Sequence, residues 1–148
     1  MARRYARPVS EPYAGRGIVL ASWGSVALFA GAAVPAAAGV SAFDPVALGT
    51  AMTLFLVGIV VWLWAFLAAL ARSANGDDIV VGSLFLVQGV APRSVRVQLY
   101  AALTVAVVLA AGTVVSDAFG ILVPMLPIGF IGLWGARYGV FPPRPHRA

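Results

Sequence analysis

The chain has no cysteine, no lysine, one histidine and five acidic residues in 148. Each scarcity removes a class of chemistry. Without cysteine there is no disulfide framework, no thiolate nucleophile and no thiolate metal site. The single histidine, His146, lies in a proline-rich end. It cannot build a metal site alone, and a catalytic triad would need orienting partners that are missing. The only adjacent carboxylates are Asp77 and Asp78. Neighbouring side chains point apart, and a helix cap accounts for this pair better than metal binding or acid–base catalysis. No glycine-rich phosphate loop of either common pattern occurs. The chain is therefore expected to be no enzyme by itself, with no catalytic, cofactor-binding or metal-binding residues and no cofactor.

Charge is scarce as well. Charged residues make up 10% of the chain, against about a quarter in soluble domains, while 61% is hydrophobic. No ionisable residue sits deep within an apolar run, which argues against a proton relay or an ion-coupled transporter. The ten basic residues are all Arg, and the formal net charge is +5. A basic balance fits either nucleic acid or an anionic membrane surface. The apolar runs decide for the lipid bilayer as partner, with no nucleic acid.

The dominant run is Val46 to Ala71, uncharged throughout. As a helix it would rise about 39 Å, more than the roughly 30 Å of bilayer hydrocarbon. Around it the chain divides into a disordered basic arm over 1–16, a four-helix transmembrane domain over 17–140 and a proline-rich tail over 141–148. The spans are expected at 17–40, 46–71, 97–115 and 119–136. The first has a rival reading. An Arg-bearing start, an apolar run and then Pro35-Ala36-Ala37-Ala38-Gly39 resembles a secretory signal with a small-residue cleavage site. The run is longer than the usual signal core, so an uncleaved span is the expectation. Residues 79–91 are too few to cross as a helix. They are expected to form a short interfacial or re-entrant helix between the second and third spans. The fold class is thus all-α and polytopic.

Four spans place Arg3, Arg4, Arg7, Arg16, Arg72, Arg93, Arg96, Arg137, Arg144 and Arg147 on one side, and leave only Asp44 and Asp117 in the opposite loops. The positive-inside rule then puts both termini in the cytoplasm of a multi-pass plasma-membrane protein. Trp62, Trp64, Tyr100, Trp134 and Tyr138 fall toward the inner ends, where an aromatic belt would lie.

Small residues recur four apart at Ala102, Ala106 and Ala110, at Ala27 and Gly31, and at Gly132 and Ala136. Such rows let helices approach closely in lipid, although Ala and Gly are abundant enough here to produce them by chance. Thr50, Thr53, Thr104 and Thr113 are expected to bond within their helices or to a neighbour. Pro124 and Pro127 are expected to kink the fourth span, freeing carbonyls for helix shaping or for a gate. Arg72, Arg93, Arg96 and Arg137 cluster near the inner surface. They would set topology and could also contact an anionic lipid head group.

One resemblance adds to this. Gly76-Asp77, Ala91-Pro92-Arg93, Leu122-Val123-Pro124-Met125, and Gly132-Leu133-Trp134-Gly135-Ala136-Arg137-Tyr138-Gly139 through Phe141-Pro142-Pro143-Arg144 together resemble a group of small uncharacterised actinobacterial integral membrane proteins. The likeness covers roughly residues 72–144. It implies a plasma-membrane protein of a high-GC Gram-positive bacterium and carries no activity. Three functional expectations follow from the whole. The first is an accessory or scaffold subunit of a larger cell-envelope complex, bound to another membrane protein or to itself. The alternatives are a small oligomeric transporter or channel, and an anionic-lipid-binding protein.

Overall fold

The computed structural model describes residues 15–86 and 91–142. Most of the expected basic arm, the segment 87–90, and the tail from 143 on, with His146, Arg144 and Arg147, lie outside the described residues. The elements run α1 (Arg16–Ala37), a 3-10 turn (Ser41–Phe43), α2 (Asp44–Ala74), α3 (Val81–Leu86), α4 (Arg93–Thr113), a second 3-10 turn (Ala118–Leu122) and α5 (Met125–Tyr138). There is no strand among the described residues. Four helical stretches are long and apolar enough to cross a membrane: Arg16–Ala37, Ser41–Ala74, Arg93–Thr113 and Ala118–Tyr138.

The boundaries differ from the sequence-based expectation for local reasons. α2 runs 31 residues, starting with Asp44 in its first turn and Pro45 beside it. A carboxylate suits the positive end of the helix dipole, and proline there gives up an amide that has no intrahelical partner. α4 begins at Arg93 rather than at 97 because Pro92 stands at its N-cap. The fourth span is a correction of kind. It is not one kinked helix over 119–136 but a 3-10 turn followed by α5, with Pro124 as the N-cap and Pro127 in the first turn. The first four amides of a helix are unpaired in any case, so neither proline breaks an intrahelical bond. The Ile128 amide still donates to the Pro124 carbonyl at 3.2 Å. Both prolines thus fall at the start of α5.

The helices pack in two parallel pairs that are not neighbours in sequence. On α2 and α5 the contacts ascend together. Gly58 lies against Leu126, Gly129 against Val61, and Arg72 against Gly139. On α1 and α4, Trp23 meets Gln98 and Val26 packs with Ala102 and Ala106. α1 and α4 therefore run one way, and α2 and α5 the other. The α2–α5 seam is the most extensive. Along α2 the buried residues are Ala47, Ala51, Leu54, Gly58, Val61, Ala65 and Ala69. That is a stripe in steps of three and four, the signature of one helix face against a core. Phe29, Leu54, Val61, Val123, Leu126 and Leu133 fill the space between the helices.

The small-residue rows separate. Ala102, Ala106 and Ala110 are buried, whereas Ala27 and Gly31 face outward and line a shallow apolar groove with Gly24, Leu28, Ala32, Val46 and Thr50. Thr53, Thr104 and Thr113 each donate to the carbonyl four residues back, at 2.7, 2.9 and 2.9 Å. These hydroxyls therefore satisfy themselves within their own helices.

Candidate functional site

Every described arginine lies at one end of the bundle: Arg16 and Arg93 where α1 and α4 begin, Arg96 one turn further, and Arg72 and Arg137 where α2 and α5 finish. Asp44 and Asp117 lie at the other end. The four arginines singled out from the sequence differ in what they touch and how far they are exposed.

Arg72 is turned into the protein. Its Nε donates to Asp77 Oδ2 at 2.8 Å, and Nη2 stands 2.7 Å from the same oxygen. Nη1 donates to the carbonyls of Ala136 and Gly139 at 3.1 and 2.9 Å. The guanidinium also lies 5.1 Å from the Phe141 ring centre. The last carbonyls of a helix have no intrahelical N–H donor and carry the negative end of its dipole, so a cation there answers both demands. One side chain thus ties the end of α2 to the end of α5. The Asp78 amide adds a strap by donating to the Pro142 carbonyl at 2.9 Å. The expected capping role of the Asp77-Asp78 pair is corrected: Asp77 pairs with Arg72, and α3 starts only at Val81.

Arg137 points the other way. It is exposed, and its guanidinium sits over the Trp64 ring at 5.6 Å from the centre. Arg93 is exposed and Arg96 half-buried on α4.

The aromatic residues also divide. Trp64 and Tyr138 face outward, as an interfacial belt requires. Trp134 is only 2% exposed. It lies beneath Gly15, whose φ of +74° and lack of a side chain allow direct contact with the indole. Trp62 stacks between Phe66 and Phe85, with ring centres 6.3 and 5.9 Å away. Trp23 donates to Gln98 Oε1 at 3.0 Å, a link between α1 and α4 that apolar patterning alone does not reveal.

α3 is six residues long and packs against the arginine-bearing half of α5. A Cβ at Gly135 would stand 2.7 Å from the Leu84 carbonyl oxygen, and one at Gly132 would stand 2.7 Å from the Phe85 ring. The Tyr100 hydroxyl donates to the Phe85 carbonyl at 2.8 Å.

At the opposite end, Asp117 is 5% exposed, and its Oδ2 has no hydrogen-bond partner among the described residues; the same holds for Ser22 Oγ. The carboxylate lies beside Gly120, itself against Phe29. The sequence reading placed Asp117 in an outer turn. The nearby Gly120, which leaves room for an inward carboxylate, was the available signal. Among the described residues no group of three or more His, Cys, Asp or Glu is arranged to hold a metal ion.

Comparison with known proteins adds no relative: no family model, no curated protein and no solved structure matches the chain.

Proposed function

We propose that the protein is an accessory or scaffold subunit of a larger membrane assembly in the cell envelope, without catalytic chemistry of its own. The observation that carries this reading is the filled interior. Phe29, Leu54, Val61, Val123, Leu126 and Leu133 close the centre of the bundle, so a single chain offers a solid apolar body whose working surface is its outside. The open groove between α1 and α2 is where a partner's helix would seat, because Gly24 and Gly31 have nothing within 4 Å of a would-be Cβ and small residues permit close approach of helices in lipid.

In this reading the protein is multi-pass in the plasma membrane, with the arginine-bearing end and both termini cytoplasmic, as the positive-inside rule directs. Of the interfacial or re-entrant segment expected at 79–91, the described part, 79–86, is read here as dipping into the bundle. Phe85 stacks beside Trp62, which precedes Arg72 by ten residues, or about 15 Å of helix. A segment lying flat at the level of Arg72 would not reach it.

The deciding experiment is purification of the tagged full chain from native membranes in mild detergent, beside Gly31→Leu. The expected result is one stoichiometric membrane-protein partner that the Leu variant loses while still eluting as a folded species. A wild-type chain recovered alone and monodisperse would count against the reading. The cysteine-free background allows orientation to be tested cleanly. Ser41→Cys should react with a membrane-impermeant maleimide in intact cells, and Asn75→Cys only after lysis. The reverse pattern would invert the topology.

A further inference from the structure

We infer that Arg137 and Trp64 form a binding site for the phosphate of a membrane phospholipid in the leaflet at the arginine-bearing end. This inference is independent of the accessory-subunit reading and holds whether or not a protein partner is found.

Three observations carry it. The first is orientation. The Arg137 guanidinium lies over the Trp64 ring at 5.6 Å, although Trp64 precedes Arg72 by eight residues, about 12 Å of helix. Helical side chains lean toward the helix N-terminus, so Arg137 is drawn back along the bundle, away from the end where water would meet it. The second is the lack of an internal counter-charge. Arg72 is paired with Asp77, but no carboxylate pairs with Arg137 among the described residues, and both Arg137 and Trp64 are exposed, the latter 53%. An exposed guanidinium without an internal counter-charge calls for an anion, and a phospholipid head group offers one as its phosphate. The third is the surface beyond. Val60 and Val57, 63% and 43% exposed, continue the Trp64 flank of α2 at helical spacing. They extend it about 10 Å toward the bundle centre, an apolar track for the acyl chain of the same lipid.

The two side chains divide the work. The indole face holds the guanidinium plane by a cation–π contact. The N–H groups along the edge of that plane remain free to make paired hydrogen bonds to phosphate oxygens, the geometry in which Arg surpasses Lys. Arg72 is committed to backbone carbonyls and Asp77, and takes no part.

The test is native mass spectrometry of the detergent-solubilised full chain after incubation with mixed phosphatidylglycerol and phosphatidylcholine vesicles. Wild type is compared with Arg137→Gln, Arg137→Lys, Trp64→Leu and Arg93→Gln, each checked first for wild-type thermal unfolding. Arg137→Gln should retain about fivefold less phospholipid, the factor corresponding to roughly 1 kcal/mol for one interfacial arginine. Arg137→Lys and Trp64→Leu should fall between it and wild type, and Arg93→Gln should match wild type. Equal retention by wild type and Arg137→Gln would overturn the inference. So would an equal loss in Arg93→Gln, which would mean that only net charge matters. Displacement of the lipid by excess inorganic phosphate would overturn the lipid assignment.

Discussion

The α2–α5 seam and the outer face of α1 are both rich in glycine, and the structure uses the same residue in opposite ways. At the seam, a Cβ on Gly58 would stand 3.1 Å from the Leu126 amide nitrogen, and one on Gly129 would stand 3.2 Å from Val61. On the side of α5 that faces α3, Gly135 lies still tighter, against the Leu84 carbonyl oxygen at 2.7 Å. On α1, Gly17, Gly24 and Gly31 have nothing within 4 Å. At the seam the missing side chain is contact already made, and on α1 it is space still open. In lipid, where apolar surface gains little by leaving solvent, helix pairs hold by close packing, so the seam glycines are the ones that stabilise the bundle. Arginine divides in the same way: Arg72 faces inward onto carbonyls, and Arg93 faces out.

Substitutions can break or sharpen this contrast. The largest effect is expected from Arg72→Ala, which removes the hydrogen bonds to Asp77, Ala136 and Gly139. It should cost about 2–3 kcal/mol, the range for hydrogen bonds involving a charged group that keeps some solvent access. Thermal unfolding in detergent would show it, and an unchanged midpoint would mean that the two helix ends hold together without the clamp. Gly135→Ala should follow at about 2 kcal/mol, because the new methyl meets backbone rather than a movable side-chain end. Gly58→Ala should cost about 1 kcal/mol, since a shift of a few tenths of an ångström between α2 and α5 relieves it. If Gly58→Ala proved as stable as wild type, the α2–α5 seam would not be the tight contact described here; an unchanged Gly135→Ala would say the same of the contact between α3 and α5.

On the open side the sign reverses. Gly24→Ala should be neutral or stabilising by up to about 1 kcal/mol, as alanine is the better helix former. A loss there would show that the α1 face is already occupied in the purified protein. The smallest effect is expected from Arg93→Gln, within about 0.5 kcal/mol, as for exposed substitutions generally. The same denaturation series would register any larger change.

Much of the architecture was legible beforehand. Four helices long and apolar enough to cross a membrane are found at the four expected places, because uncharged runs of such length leave few other options. The gathering of the described arginines at one end, with Asp44 and Asp117 at the other, follows from their positions between those runs. The local details were less legible. Pro124 and Pro127 read as a kink because the run 119–136 looked continuous. The chain instead turned at the 3-10 segment and placed both prolines where no amide is needed. Trp134 read as a belt residue because tryptophan favours interfaces, but the absence of a side chain at Gly15 let it be buried. Asp117 read as an outer-loop charge, and only the fold shows its carboxylate turned inward beside Gly120.

For the candidate site, the residue types were visible and the grouping was not. Arg72, Arg93, Arg96 and Arg137 looked like one cluster because they share a depth along the membrane normal. Depth is a one-dimensional property, and it says nothing of the direction around each helix in which a side chain points.

The sequence by itself determined the helical class, the number of long apolar helices and the end at which the described arginines gather. These depend on run length and on the order of charges along the chain, quantities independent of which helix packs on which. Only the tertiary structure decided that α2 pairs with α5 and α1 with α4. It also decided that Gly58 and Gly129 close a seam while Gly24 and Gly31 stay open, and that Arg72 locks inward while Arg137 rests on Trp64. With Ala and Gly on nearly every helical face, the pattern of small residues allows many pairings. The choice among them rests on contacts between residues far apart in the chain.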